Sequence, residues 1–463
     1  MNAYNASRRR FLKNSTLATA GVMLSGIAPS FSLPHAQADT ALPLKINSTG
    51  RALVCIMLDG GNDSFNMLVP TSKAAYEEYK GSRSNLALSK EQLLPLADFT
   101  DHKGRTFGVH HSMPEVQQLF NQEKLAFIAN VAPMVEPVTK EAYQNNSVQL
   151  PLGLMSHADQ FNHWQTARPQ DRINQGWFGY LADTLQVNRA TSQIPMNISL
   201  AGSNILQNGI NSTHYVINEK GSVGLVINEE SIAVTERSVL NQLIEENFEN
   251  LLNTEYANDP FKQTYLSITR EAQAQHEVFK KAVDQVTVPA TFSDTPLSQQ
   301  LHMVAKSIKA AEQLNLPQQT FFVRYIGWDH HDELLSNHAR MLGILSKALG
   351  EFQAALESMN VADKVMTFTG SDFGRTLTSN GNGTDHGWGG NCIVMSDTLA
   401  NLGGKIHGEY PQLNLGADNP LDIGDGVLIP TMPLDKLYAE LAVWFGVERE
   451  SLPTLFPNLA NFS

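Results

Sequence analysis

Short apolar runs rich in β-branched and aromatic residues recur along this 463-residue chain, at 52–58, 124–131, 195–200, 320–326, 364–369 and 391–395. Each has the length and composition of a buried strand. Between several of them the apolar spacing changes to three and four. Residues 113–120 place Val116 and Phe120 four apart, and residues 334–356 place Leu334, Leu335, Leu342, Leu345, Leu349 and Phe352 along one stripe. That is the period of a helix face turned toward a core. Alternating strand and helix signals predict an α/β fold with a largely parallel sheet covered on both faces. Residues 231–316 interrupt the alternation. They are rich in Glu, Gln, Lys and Ala at helical spacing, with a Pro/Thr/Ser-rich break at 289–296, and read as a helical insertion or cap on one α/β domain spanning 39–463. Residues 433–446 read as an amphipathic helix closed by Gly446, after which Leu455, Phe456 and Pro457 dock on the core.

Four polar clusters sit at the ends of these runs or just before the next: Asp59-Gly60-Gly61-Asn62-Asp63, Asp329-His330-His331-Asp332, Asp372-Phe373-Gly374-Arg375, and Asp385-His386-Gly387-Trp388-Gly389. An open α/β sheet gathers ligands beyond the carboxyl ends of its strands. Carboxylates and imidazoles delivered there from several strands make a divalent-metal site. Asp59 follows its strand directly, with Gly60 and Gly61 permitting a sharp turn and Asn62 and Asp63 adding oxygen donors; an Asx-Gly turn accounts for the same string. In extended chain, residues two apart share a side, so Asp329 and His331 can grip one ion while His330 faces elsewhere. Alternatively, Asp329 caps a helix starting near Glu333. Asp372 can bind a metal, and the Arg375 guanidinium can hold an anionic substrate through two parallel hydrogen bonds. His386 lies in a glycine-rich loop, 381–390, able to wrap around a site.

Ser156 and His157 open a helix predicted over 158–166. A helix N-terminus offers free N–H groups to phosphate or sulfate, and a serine there can attack once its hydroxyl is activated; serine is equally a favoured helix cap. His110 and His111 are further candidates, as pocket or core residues. No Gly-rich phosphate loop and no Gly-x-Ser-x-Gly elbow occurs.

Arg8-Arg9-Arg10-Phe11-Leu12-Lys13, a mild apolar stretch over 17–27 and Ala36-Gln37-Ala38 mark residues 1–38 as a twin-arginine export signal. The expected location is periplasmic or secreted, with the twin-arginine translocation machinery as partner during export. Removal of this segment takes the formal charge from −13 to −17. So acidic a chain argues against nucleic acid as partner, and no later segment is long and apolar enough to span a membrane. The two cysteines, Cys55 and Cys392, lie inside apolar runs and read as core residues.

Taken together, the export signal, 58–62, Ser156-His157, Gly327-Trp328-Asp329-x-His331, Phe373-Gly374-Arg375, Asp385-His386-Gly387-Trp388-Gly389, Gly403-Gly404-Lys405-Ile406-His407-Gly408 and Leu455-Phe456-Pro457 resemble family 1501 of the domains of unknown function. That family is placed within the alkaline phosphatase and sulfatase superfamily. The resemblance implies a three-layer α/β/α sandwich with a central mixed, mostly parallel sheet. It also implies up to two divalent metal ions flanking a nucleophile, here Ser156. Carried over by position, Asp59 and Asp372 go to one ion, and Asp329, His331 and His386 to the other. Phe373 stands where the superfamily has a ligating His, so the first ion needs Asn62, Asp63 or His157 as substitute, or only one ion binds. The Cys-x-Pro-x-Arg signature of formylglycine sulfatases is absent.

Two functions follow. One is a metal-dependent hydrolase of small phosphate or sulfate esters. In it Asp59, Asn62, Asp329, His331, Asp372 and His386 bind metal (zinc first, with manganese or iron as alternatives). Ser156 and His157 take part in catalysis, and Arg375 or Lys405 neutralises the anion. The other is a non-catalytic metal- or ligand-binding envelope protein on the same fold.

Overall fold

The computed structural model describes residues 44–462 apart from 48, 98, 187–193, 223–233 and 253–258. The export signal read at 1–38 lies outside the described residues.

Twelve strands are described: β1 Ala52–Asp59, β2 Leu68–Pro70, β3 Leu93–Pro95, β4 Phe107–His110, β5 Leu125–Ala132, β6 Asn197–Ser199, β7 Tyr215–Val216, β8 Gln319–Ile326, β9 Val365–Ser371, β10 Gly390–Met395, β11 Ile406–His407 and β12 Met432–Pro433. Nine form one sheet in the order β11-β5-β10-β9-β1-β8-β6-β7, with β12 also pairing β5. All its pairings are parallel except those of β10, which runs antiparallel to both β5 and β9. The six apolar runs all became strands of this sheet. β1 is the most deeply placed, with Leu53, Val54 and Ile56 fully buried, as expected of a parallel strand covered on both faces.

Helices flank the sheet, and the architecture is the mixed, mostly parallel three-layer sandwich anticipated from the sequence. On one face, Phe368 of β9 meets Trp177, Phe178 and Tyr438, and Tyr438 donates a hydrogen bond to the Trp164 carbonyl at 2.6 Å. Phe456, beyond the C-terminal helix Leu434–Phe445, packs on Trp177. Cys55 and Cys392 are buried and unbridged, and burial pushes both thiols well above their ordinary range. Strands β2, β4 and β3 form a small antiparallel sheet that the sequence pattern had not marked.

The chain divides into two compact units, one containing residues 222–278 and the other the rest of the described chain. In the smaller unit His276 Nδ1 lies 2.7 Å from Ser222 Oγ. The helix Pro296–Lys309, which helical spacing grouped with the insertion, belongs to the sheet unit. It buries Leu297, Leu301 and Val304 and packs on β8 and on the helix Leu334–Ser358. Periodicity declares that a helix has a buried face but not which element covers it.

Asp435, in the first turn of Leu434–Phe445, is fully buried and neither of its oxygens meets another residue's donor. Burial pushes its carboxyl up to about 7, against the smaller pull of its own amide and of Arg168. A carboxyl that is more basic folded than unfolded favours the native state at low pH, and that contribution is lost as pH rises through the native value. Asp435→Asn is therefore expected to raise the thermal midpoint at pH 8 and leave it unchanged near pH 4. The ceiling, at 1.36 kcal/mol per pH unit, is about 4 kcal/mol. Equal shifts at both pH values would show that ionisation of Asp435 is not what costs stability.

Candidate metal centre

Strands β8, β1 and β9 run side by side in parallel, Asp59 beside Ile326 and Leu58 beside Ser371. Their carboxyl ends release the first three polar clusters at one edge of the sheet. β10 runs the opposite way and begins with Gly390 across from Val131, so the loop before it brings His386 back to the same edge. The helix His157–Thr166 starts there too, since the Met155 carbonyl accepts from His386 Nδ1 at 2.9 Å. Gly60 makes the convergence sterically possible. Its φ is +123°, and a Cβ there would lie 2.6 Å from the Asp329 amide nitrogen, so a side chain would drive the Asp329 loop outward.

Donor atoms meet at this edge. One nitrogen or oxygen each from His157, Asp329 and His386 lie within 4.8 Å of one another. His386 Nε2 is 3.1 Å from His157 Nε2 and 3.4 Å from Asp329 Oδ1. His331 Nε2 adds a fourth donor, 3.1 Å from His386 Nε2 and 3.0 Å from Asp329 Oδ1. Ligands of one tetrahedral zinc, each about 2.0–2.2 Å from the metal, stand roughly 3.3–3.6 Å apart; the separations around His386 are close to that, with His157, Asp329 and His386 forming the mutually close group and His331 joining it on the Asp329–His386 side.

Hydrogen bonds to oxygens orient the three rings. His386 Nδ1 faces the Met155 carbonyl, which can only accept, so Nδ1 holds the hydrogen. His157 Nδ1 faces Asp372 Oδ2 at 2.7 Å, and His331 Nδ1 faces Asp385 Oδ1 at 3.0 Å. A neutral imidazole that donates from Nδ1 presents a lone pair at Nε2. Imidazole nitrogens of His157, His331 and His386 thus gather around the Asp329 carboxylate, each ring oriented by an oxygen behind it. This donor set fits a divalent ion, and imidazoles with one carboxylate suit zinc, with manganese or iron as alternatives.

The surroundings tune these groups. Burial pushes Asp329 up, but the hydrogen bond and charge of Arg375, with His331 and His157, outweigh it and hold the carboxyl below its ordinary value. Burial lowers His386, against the Met155 carbonyl, keeping it neutral. Burial pushes Asp372 up to about 6; the His157 hydrogen bond opposes this and the charge of Asp59 adds to it.

The structure brings Asp329, His331, His386 and His157 together. Asp372 stands behind His157 as its hydrogen-bond partner and is fully buried. Asp59 is adjacent but ion-paired with Arg324. Asn62, expected as a ligand, is not in the cluster: it is buried, and its Oδ1 accepts from His338 Nε2 at 2.9 Å. Asp63 is spent on a buried pair with Arg83. Arg375, expected to hold substrate, is fully buried. Its donors reach Asp329 Oδ1 at 2.7 Å, Thr384 Oγ1 at 3.2 Å and the carbonyls of Thr384 and Gly60. It orients Asp329 and has no edge left for an anion. Lys405 precedes β11, whose parallel pairing with the start of β5 puts it at the opposite edge of the sheet. Ser156 stands at the cap position before His157 without a capping bond from its side chain; its hydroxyl serves Asp159, which Arg172 also holds. His110 and His330 pack with His338 and Trp328 in the interior.

Three participants escaped sequence reasoning. Asp385 and the Met155 carbonyl act as orienters, of which the Asp-His dipeptide was a usable signal for the first only. Phe373 packs its ring against both His157 and His386, with centroids 4.7 and 4.5 Å away. In place of a ligand it supplies a wall that holds two imidazoles.

A family profile described as "Protein of unknown function (DUF1501)" matches residues 50–425. No curated protein is significantly similar in sequence. Among solved structures, the zinc complex of the C-terminal periplasmic domain of EcEptC from Escherichia coli is 9% identical over 89% of this chain and 87% of that one, with a TM-score of 0.34. The lipoteichoic acid synthase LtaP from Listeria monocytogenes is 9% identical over 84% and 80%, with a TM-score of 0.31. The PsFucS1 sulfatase from Pseudoalteromonas sp. is 9% identical over 86% and 68%, with a TM-score of 0.31. Likenesses this distant assign no residue, and the chemistry rests on the donor geometry above.

Proposed function

This chain belongs to the DUF1501 family, and from that premise we propose that it is a metal-dependent hydrolase of small phosphate or sulfate esters acting in the periplasm or outside the cell. One observation carries the reading: His157, Asp329 and His386 place donor atoms within 4.8 Å of one another, with His331 Nε2 3.1 Å from His386 Nε2 and each ring's Nδ1 beside an oxygen.

His157, Asp329, His331 and His386 would hold the ion. Bound there, a divalent metal supplies Lewis acidity, polarising an ester oxygen and acidifying a hydroxyl beside it. The chain's own groups do the positioning. Asp372, Asp385 and the Met155 carbonyl keep the rings from rotating, and Arg375 keeps one Asp329 oxygen aimed inward. The helix His157–Thr166 turns its amide end toward the centre, where an anionic ester gains from the helix dipole. Ser156 at that end is the nucleophile in this reading, because it is the hydroxyl next to a ligand in the chain. Export by the twin-arginine route, with its translocation machinery as partner, accords with the basic N-terminus. Among the described residues no helix is long and apolar enough to cross a membrane.

The test is metal content of the purified protein, followed by turnover on a panel of phosphate and sulfate esters. His331→Ala and Ser156→Ala are each expected to lower turnover by at least about a hundredfold, only the first lowering metal content. Undiminished turnover in Ser156→Ala would remove the serine from the mechanism. Full metal loading with no turnover on any ester would favour a non-catalytic metal-binding envelope protein.

A further inference from the structure

We propose that the centre holds one divalent ion per chain and that the Arg324 guanidinium stands in place of a second, giving the substrate's anion its positive partner. This rests on the hydrolase reading above.

The residues that position alone would assign to a second ion do not fit one. Asp59, at the end of β1, accepts at Oδ2 from Arg324 Nη2. Asp372 is buried, with Oδ2 taken by His157 Nδ1 and the Gly60 amide also turned to its carboxylate. Phe373 has no lone pair. Asp59 ends β1 and Asp372 follows the end of its parallel neighbour β9, so two carboxylates leave adjacent strand ends, and Arg324 sets a positive charge against the first of them.

Arg324 is also placed to do more than neutralise. It projects from β8 opposite Met57 of β1, and its guanidinium lies 4.9 Å from the Phe161 ring, one helical turn after the ligand His157. It therefore borders the centre from the His157 side. Its side chain is 33% exposed, whereas Arg375 is fully buried and committed to Asp329 and Thr384. A guanidinium is a planar fork that can keep a carboxylate on one edge and offer N–H groups to a phosphate or sulfate oxygen on another. Stacking on Phe161 holds that plane still.

The experiment counts zinc per chain by mass spectrometry after dialysis of the full-length protein, and measures inorganic phosphate binding to the zinc-loaded protein by calorimetry. One zinc per chain is expected in the parent and in Asp59→Asn. Phosphate affinity is expected to fall about tenfold or more in Arg324→Ala, with partial recovery in Arg324→Lys. Circular dichroism identifies any variant that has not folded, and Arg324→Lys keeps the charge if alanine fails. Two zinc ions in the parent, reduced to one in Asp59→Asn, would overturn the proposal. So would phosphate affinity unchanged in folded Arg324→Ala. A parent that binds neither zinc, manganese nor iron overturns the hydrolase reading and this inference with it; the ion count tells the two failures apart.

Discussion

His386→Ala is expected to weaken zinc binding by more than about a hundredfold, the largest loss of any single substitution at the centre. His386 is the hub of the cluster: its Nε2 lies 3.1 Å from both His157 Nε2 and His331 Nε2 and 3.4 Å from Asp329 Oδ1. Removing it leaves the other three donors without their common neighbour and opens a hole beside Phe373. Its ring is also the best restrained, held by the Met155 carbonyl behind and by Phe373 on its face, so little entropy is lost when it ligates. Asp385→Asn, which loosens only the back of His331, is expected to cost about tenfold. Competition with a coloured zinc chelator measures both. Zinc affinity unaltered in His386→Ala would mean that the four donors are not one site.

The second large effect concerns stability. Arg83 is fully buried and pairs with Asp63 Oδ2. It also donates to Asn66 Oδ1 at 3.1 Å and to the carbonyls of Thr376 and Leu377 at 2.9 and 3.2 Å. One side chain thereby ties the helix Lys73–Arg83 to the loops that carry Asp59 and Arg375. Arg83→Met is expected to cost about 3–5 kcal/mol, because it leaves the Asp63 carboxylate buried and uncompensated. The double variant Arg83→Met, Asp63→Leu removes both charges and is expected to recover much of that loss, as apolar replacement of a whole buried pair commonly does. Urea unfolding of the parent, Arg83→Met, Asp63→Leu and the double variant tests this. A single-variant loss below about 1 kcal/mol would mean that water reaches Asp63 and the pair is not truly buried.

The elements that proved legible share a physical reason. A strand stretch buried on both faces must be mostly apolar, so β1, β5, β9 and the buried first part of β8 could be seen as runs. Asp329 and His331 lie at the donor cluster while His330 turns into the core, in a turned segment just past β8 where amides bond back two residues. β11 and β12, two residues each, carry too little pattern to be seen. The small sheet of β2, β3 and β4 was hidden in a stretch of mixed polarity.

Partner choice marks the boundary of what residue types can say. Asn62 and His157 were both able to serve as ligands; their environments separated them, His338 engaging the first and Asp372 orienting the second. Arg375 and Arg324 are chemically the same group, and only burial distinguishes the one that braces Asp329 from the one that meets Asp59 at a partly open edge. The chain by itself determined the α/β architecture and the edge where polar clusters collect, because apolar period and strand-end position are local properties of the backbone. The tertiary structure alone decided which donors share a space and which are consumed by neighbours, because hydrogen bonds and ion pairs form between residues brought together only after the sheet is ordered.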